Sequence, residues 1–213
     1  MRGKLRHVEW IGDDDPERLE AATITLAADR LDALGTSRTT DYVSNWSLET
    51  GPEWVTSRLD VAVSGRGWTR RLMLVRDAHG RWESEAEATG LTGYHGETMA
   101  EPGIRDASAL DGAFDCDLAL CPVTNSMPIL RLGALDAAVP ETRLVMAWVA
   151  LPSLEVIRSD QIYSSAAPLD KAAGHGVVRY QSASRDFAGD LTVDPDGIVI
   201  DYPQLARRIR TRP

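Results

Sequence analysis

The chain has almost no lysine, only two cysteines, little phenylalanine and no long apolar run. Lys4 and Lys171 are the only lysines, so the other 21 of its 23 basic residues are arginine, a skew that points to no function by itself. The longest unbroken apolar stretch, Leu144 to Leu151, is eight residues, well short of the roughly 18 that a membrane-spanning helix needs. The first residues, Met-Arg-Gly-Lys-Leu-Arg-His, lack the apolar segment and small-residue cleavage site of a secretory leader, so a cytoplasmic location is expected. There Cys116 and Cys121 are expected to stay reduced, and the sequon Asn45-Trp46-Ser47 carries no glycan. The two cysteines lie five apart without a Cys-x-x-Cys or histidine spacing, so a zinc set is incomplete and burial as small apolar residues is the better reading. No glycine-rich phosphate loop follows a strand pattern, and neither metal nor cofactor is expected. With 32 acidic against 23 basic residues the net charge is −9, which argues against nucleic acid or an anionic membrane surface as the main partner.

What is present is a core-forming composition, 43% apolar, in short segments of alternating polarity separated by turn chemistry. Leu59, Val61 and Val63 share one face of a strand that turns Arg58 and Asp60 outward. Ser64-Gly65-Arg66-Gly67, Asp77-Ala78-His79-Gly80 and Asp194-Pro195-Asp196-Gly197 read as hairpin turns. The last of these opens like a calcium loop, but Leu205 stands where a bidentate Glu is required. Further strands are expected at Tyr42–Leu48, Phe114–Leu120, Leu144–Ala150, Leu154–Ile157 and Val177–Gln181, and Glu17 to Leu34 is read as a strand pair. Helix is scarce. Thr124 or Asn125 is expected to cap an apolar turn through Leu132, with Pro128 tolerated in its first turn, and Gln204 to Arg210 reads as a short basic helix after Pro203. No repeat or linker divides the chain, so residues 1–213 are expected to form one domain.

In Phe114-Asp115-Cys116-Asp117-Leu118, a strand puts Asp115 and Asp117 on one side, their Cα atoms about 6.6 Å apart at about 3.3 Å per residue. That spacing suits acid/base work or a cation, but with no third ligand or partner base nearby a solvated outer face, a helix cap or a pairing with Arg131 is the better reading. The six tryptophans, at 10, 46, 54, 68, 82 and 148, are first of all core residues, although Trp also suits a sugar or an acyl chain. The four histidines are scattered, and sequence gives no reason to pair any two of them.

The stretch from Asp115 to Leu132 resembles the signature of a family of uncharacterised bacterial proteins labelled putative glycolipid-binding, matching at Asp115, Asp117, Leu118, Pro122, Thr124, Asn125, Pro128, Ile129, Arg131 and Leu132. It departs at Cys121, Ser126, Met127 and Leu130, the last replacing the first of two adjacent arginines. Trp54 to Arg58, Gly80-Arg81-Trp82, Gln161-x-Tyr163 and Phe187 to Pro203 follow in the family's order, so the resemblance spans most of the chain. It implies a mostly β fold, a spiral β-roll in which a long curled antiparallel sheet wraps around a single short α-helix, here Thr124 to Leu132. It also implies a ligand-binding set of Asp115, Asp117, Thr124, Asn125, Arg131, Trp54 and Trp82.

Three functions then compete. A non-catalytic binding module would hold a glycolipid or other amphiphile in an apolar cavity between roll and helix, behind a rim of Trp, Arg and Asn; this is the preferred reading. A hydrolase acting on a glycosyl or acyl ester bond would place Asp115 and Asp117 with Asn125, Arg131 or Tyr163 around a cleft, but no nucleophile–base pair is recognisable. A structural or interaction protein, such as a homodimer, would simply fill the roll with the helix.

Overall fold

A computed structural model describes residues 3–183 and 187–212, the last three as backbone alone. The alternating segments become strands with one buried and one wetter face, as in Thr56–Gly65, where Leu59, Val61 and Val63 are buried and Asp60 and Ala62 are turned outward. The first meander is antiparallel: β1 (Lys4–Gly12), β2 (Leu19–Leu26), β3 (Leu31–Arg38), β4 (Tyr42–Thr50), β5 (Thr56–Gly65), β6 (Trp68–Arg76) and β7 (Trp82–Gly90). A small separate hairpin follows, β8 (Gly93–Tyr94) with β9 (Glu97–Thr98), and then the short strands β10 (Gly103–Ile104) and β11 (Asp115–Leu118). A 3-10 turn over Pro122–Asn125 leads into the helix α1 (Ser126–Arg131). The second meander comprises β12 (Thr142–Val149), β13 (Glu155–Asp170), β14 (His175–Ser182), β15 (Phe187–Val193), β16 (Val199–Tyr202) and β17 (Ala206–Arg212). Pairing of β17 with β1 joins the two meanders into one sheet that runs from β11 to β7.

The sheet is curled and mostly antiparallel, as the resemblance implies, but two pairings are parallel, β11 with β12 and β10 with β13. The first is parallel because the chain returns through α1, and a crossover of a dozen or more residues is what a parallel neighbour requires. α1 sits between the two halves of the interior. Met127 packs into the cluster lined by β1 to β7, and Ile129 into the cluster lined by β12 to β16. Leu205 touches both. Among the described residues no helix is long and apolar enough to cross a membrane.

Two local expectations are corrected. The segment from Gln204 is not a helix: Gln204 turns the chain with a positive φ of 64°, and Ala206 onward pairs with β1 and β16. Unpaired backbone on two neighbouring strands outweighs a weak helical propensity. Nor does Thr124 or Asn125 cap α1 with its side chain. The 3-10 turn begun by Pro122 already holds Asn125 in helical geometry, and this frees both side chains for other partners.

Candidate functional site

The signature residues meet where α1 lies against β11 and β13. The Asn125 amide donates to the Tyr163 hydroxyl at 2.9 Å, which donates to Gln161 Oε1 at 3.1 Å. Gln161 Nε2 in turn donates to Asp117 Oδ2 at 2.6 Å. Thr124 Oγ1 lies 3.0 Å from Asp117 Oδ1 and 2.9 Å from the Cys121 carbonyl. A continuous chain of bonds therefore ties the turn before the helix to two strands. Beside it, Arg131 donates to both carboxylate oxygens of Asp115, through Nη1 at 2.8 Å and through Nη2.

The two aspartates do not stand on a wet outer face. Asp115 is 1% exposed while Phe114, expected inside, is 46% exposed. β11 pairs with β12 and is packed by β5 and the 3-10 turn Pro122–Asn125, so Asp115, Cys116 and Leu118 are buried and Asp117 half-buried, and the period-2 pattern no longer reports inside from outside. Arg131, in the last turn of α1, pairs with Asp115 through its side chain and stacks over the Phe114 ring, 5.5 Å from its centroid. Asp115 thus meets a guanidinium and not the helix N-terminus. Burial pushes the Asp115 carboxyl up, against the pull of Arg131. Burial also raises Cys116 to about 12 and holds Cys121 and the Tyr163 phenol well above their ordinary values, so both thiols stay protonated at neutral pH.

Of the seven expected site residues, the structure joins Asp117, Thr124 and Asn125 in one network, sets the Asp115–Arg131 pair beside it, and places the two tryptophans elsewhere. Trp82 is buried and donates through Nε1 to the Ala113 carbonyl at 3.1 Å. Trp54 is half-buried in the 3-10 turn Pro52–Trp54 and packs on the first core cluster, its indole nitrogen buried without a partner.

The network continues into a surface pocket that sequence reasoning missed. The Tyr163 ring lies edge-on to Tyr180, 5.2 Å between centroids, and Tyr180 contacts Phe187 at 6.0 Å and Tyr202 at 5.7 Å. Tyr180, Phe187 and Tyr202, with Ser182, Gln204 and Leu205, line a pocket of about 200 Å³. The available signal was the crowding of aromatics near the C-terminus: of five Tyr and two Phe in the chain, these three fall within 23 residues, from 180 to 202. Larger depressions, of about 670 Å³ and 460 Å³, lie on the outer sheet face, the first across β4 to β7 and the second across β1 to β3.

Residues 7–208 match the model of a family described as "Putative glycolipid-binding". A solved structure, of a DUF1089 family protein from Pseudomonas aeruginosa, superposes with a TM-score of 0.63 at 26% identity, covering 89% of this chain and 92% of that one. No curated protein matches the chain.

Proposed function

Since the chain belongs to the family described as putative glycolipid-binding, we propose that it is a non-catalytic binding protein for a glycolipid or similar amphiphile. The observation that carries this reading is the aromatic pocket of Tyr180, Phe187 and Tyr202, coupled through Tyr163 to the signature residues. Three rings around an opening offer flat apolar faces with polar edges, the chemistry that receives an alkyl chain or the C–H face of a sugar. At about 200 Å³ the pocket is smaller than the roughly 300–1,000 Å³ of sites that enclose a drug-sized ligand. It suits one ring or the end of a chain.

On this reading the signature acts indirectly. Its side chains bond to one another and hold α1 against β11 and β13, fixing Tyr163 and with it the wall of the pocket. The hydrolase alternative has little support, because Asp115 is held in a buried ion pair and both thiols are protonated.

The test is a titration of isotopically labelled protein with octyl β-D-glucopyranoside below its micellar concentration, followed by NMR. Saturable shifts at Tyr180, Phe187 and Tyr202, weakened by Phe187→Ala, are expected. Absence of saturable binding to this probe, to octanoate and to a lysophospholipid overturns the proposal.

A further inference from the structure

The long sheet has two ends, and they are finished differently. At β11 the free edge is filled: the Cys116 N–H donates to Thr56 Oγ1 at 3.0 Å and the Thr56 N–H to the Phe114 carbonyl at 3.1 Å, so the start of β5 stands where another strand would pair. At the other end, β7 has β6 on one side only. β10 closes against its beginning, the Ile104 N–H donating to Ser84 Oγ at 3.1 Å. Beyond that point, from Glu85 to Gly90, every residue is exposed.

Register decides which backbone groups of β7 are free. The Leu91 N–H donates to the Gly67 carbonyl and the Asp77 N–H to the Arg81 carbonyl, each at 2.9 Å, and the β6–β7 pairing between them runs without a bulge. The odd-numbered residues of β7 are therefore the ones bonded to β6. The N–H and C=O of Ser84, Ala86 and Ala88 point away from the sheet, and among the described residues no backbone group meets them. Side chains alternate as well. Ser84 and Ala86 lie opposite the buried Leu74 and Leu72, on the inward face, whereas Glu83, Glu85 and Glu87 stand in a row on the outer face. None of the three glutamates is in an ion pair among the described residues; Glu83 and Glu85 act on Arg81 and Arg58 only through their fields. The outer depression of about 670 Å³ reaches this edge, and Asp60, Ala62, Arg71 and Met73 line it together with Glu85 and Glu87.

We propose that β7 from Glu85 to Gly90 is a docking edge for an extended segment of another protein that carries lysine or arginine at alternate positions. Added antiparallel to β7, such a segment bonds to the N–H and C=O of Ala86 and Ala88, two donors and two acceptors, and the methyl side chains leave room for its approach. Glu85 and Glu87 then occupy the positions of the new ladder where facing residues come closest, with Cα atoms about 4.5 Å apart. Basic side chains there meet carboxylates, and their aliphatic stems lie along the depression beside Ala62 and Met73. Charge excludes a second copy as the occupant. Antiparallel pairing of two β7 edges keeps both outer faces on one side, so the glutamates of one row would oppose those of the other. An acidic row on a bare edge thus rejects self-pairing and admits a basic strand.

The experiment uses the isotopically labelled full chain and follows amide hydrogen exchange and peptide titrations by NMR. In the free protein the amides of Ala86 and Ala88 are expected to exchange at once and those of Glu85 and Glu87 slowly. The peptide Lys-Val-Lys-Thr-Lys-Val-Lys is expected to bind and to slow exchange at Ala86 and Ala88. Its analogue with glutamate for lysine, and a peptide of the same composition with the lysines in one block, should bind at least about tenfold more weakly. Ala88→Pro removes one donor at a position where an edge strand tolerates proline, and should weaken the alternating peptide about tenfold, the equivalent of one lost hydrogen bond. Glu85→Lys combined with Glu87→Lys should reverse the preference toward the acidic peptide, and this double variant carries the test if Ala88→Pro melts lower than wild type. Ala86 and Ala88 amides already protected in the free chain overturn the proposal. So do absence of binding, binding that leaves their exchange unchanged, and equal binding of the block peptide. Dimerisation seen by sedimentation and lost in Ala88→Pro overturns the choice of partner. The amphiphile titration reads the pocket of the other meander, and none of these results alters its outcome.

Discussion

Two buried polar clusters occupy the same roll, one under α1 and one under the β8–β9 hairpin, and they differ in a single respect. Around Asp117 the donors and acceptors find one another: Thr124, Gln161, Tyr163 and Asn125 form an unbroken chain, and Arg131 takes both oxygens of Asp115. Along Glu20, Ser44 and Arg70 each residue keeps one buried atom without a partner, Oε1, Oγ and Nε, although Glu20 meets the Cys121 thiol and Arg70 donates to the Ala100 and Ser153 carbonyls. A saturated network holds elements together, because removing any member strands another. A polar row whose members are not all paired is a net cost to the fold. The family signature marks the first cluster, so the most recognisable residues are those that build the roll.

The contrast predicts opposite responses to mutation. The largest loss should come from Arg131→Met, which strips the buried Asp115 carboxylate of its hydrogen-bonded guanidinium and should cost about 3–5 kcal/mol in chemical denaturation; a second substitution, Asp115→Leu, should restore part of it. Next is a pH effect from the other cluster. Burial raises Glu20 from 4.5 to about 7. The unfolded chain therefore gives up this proton first, and stability should fall as pH rises from about 4.5 to about 7, by at most about 3 kcal/mol. Melting curves at pH 5 and pH 8 should show a drop that Glu20→Gln makes smaller, the raised Asp115 carboxyl contributing in the same direction; an unchanged drop in that variant would assign the effect elsewhere. Tyr163→Phe should cost about 1–3 kcal/mol by stranding Asn125 and Gln161. The smallest effect is expected from Ser44→Ala, within about 0.5 kcal/mol of wild type or slightly stabilising, since the hydroxyl it removes has no partner. A loss as large as that of Tyr163→Phe would mean that the two clusters are alike.

Much of the fold is legible in local pattern. The alternation of Leu59, Val61 and Val63, the turns at Asp77 to Gly80 and Asp194 to Gly197, and the strand pair between Glu17 and Leu34 all appear where they are expected. The single helix falls inside Thr124 to Leu132, and Arg131 does pair with Asp115. Less was legible at the sites. Asp115 reads as an outward residue because alternation assumes that one face of a strand is wet, and here β5 and the turn Pro122–Asn125 cover it. Residues 204–210 read as a helix because nothing in those seven residues reveals that β1 and β16 stand open beside them. The row of Glu20, Ser37, Ser44 and Arg70 is invisible in one dimension, since its members are separated by 17, 7 and 26 positions and align only when four turns have set the register.

Composition and short-range periodicity thus commit this chain to a strand-rich fold with one short apolar helix, because hydrophobic alternation and turn residues act over a few positions and need no distant partner. Which polar groups end up saturated and which remain open follows from the curl of the sheet, the seat of α1 and the register between meanders. Those are long-range contacts, and a hydrogen bond is satisfied or not only once its partner's position in space is fixed.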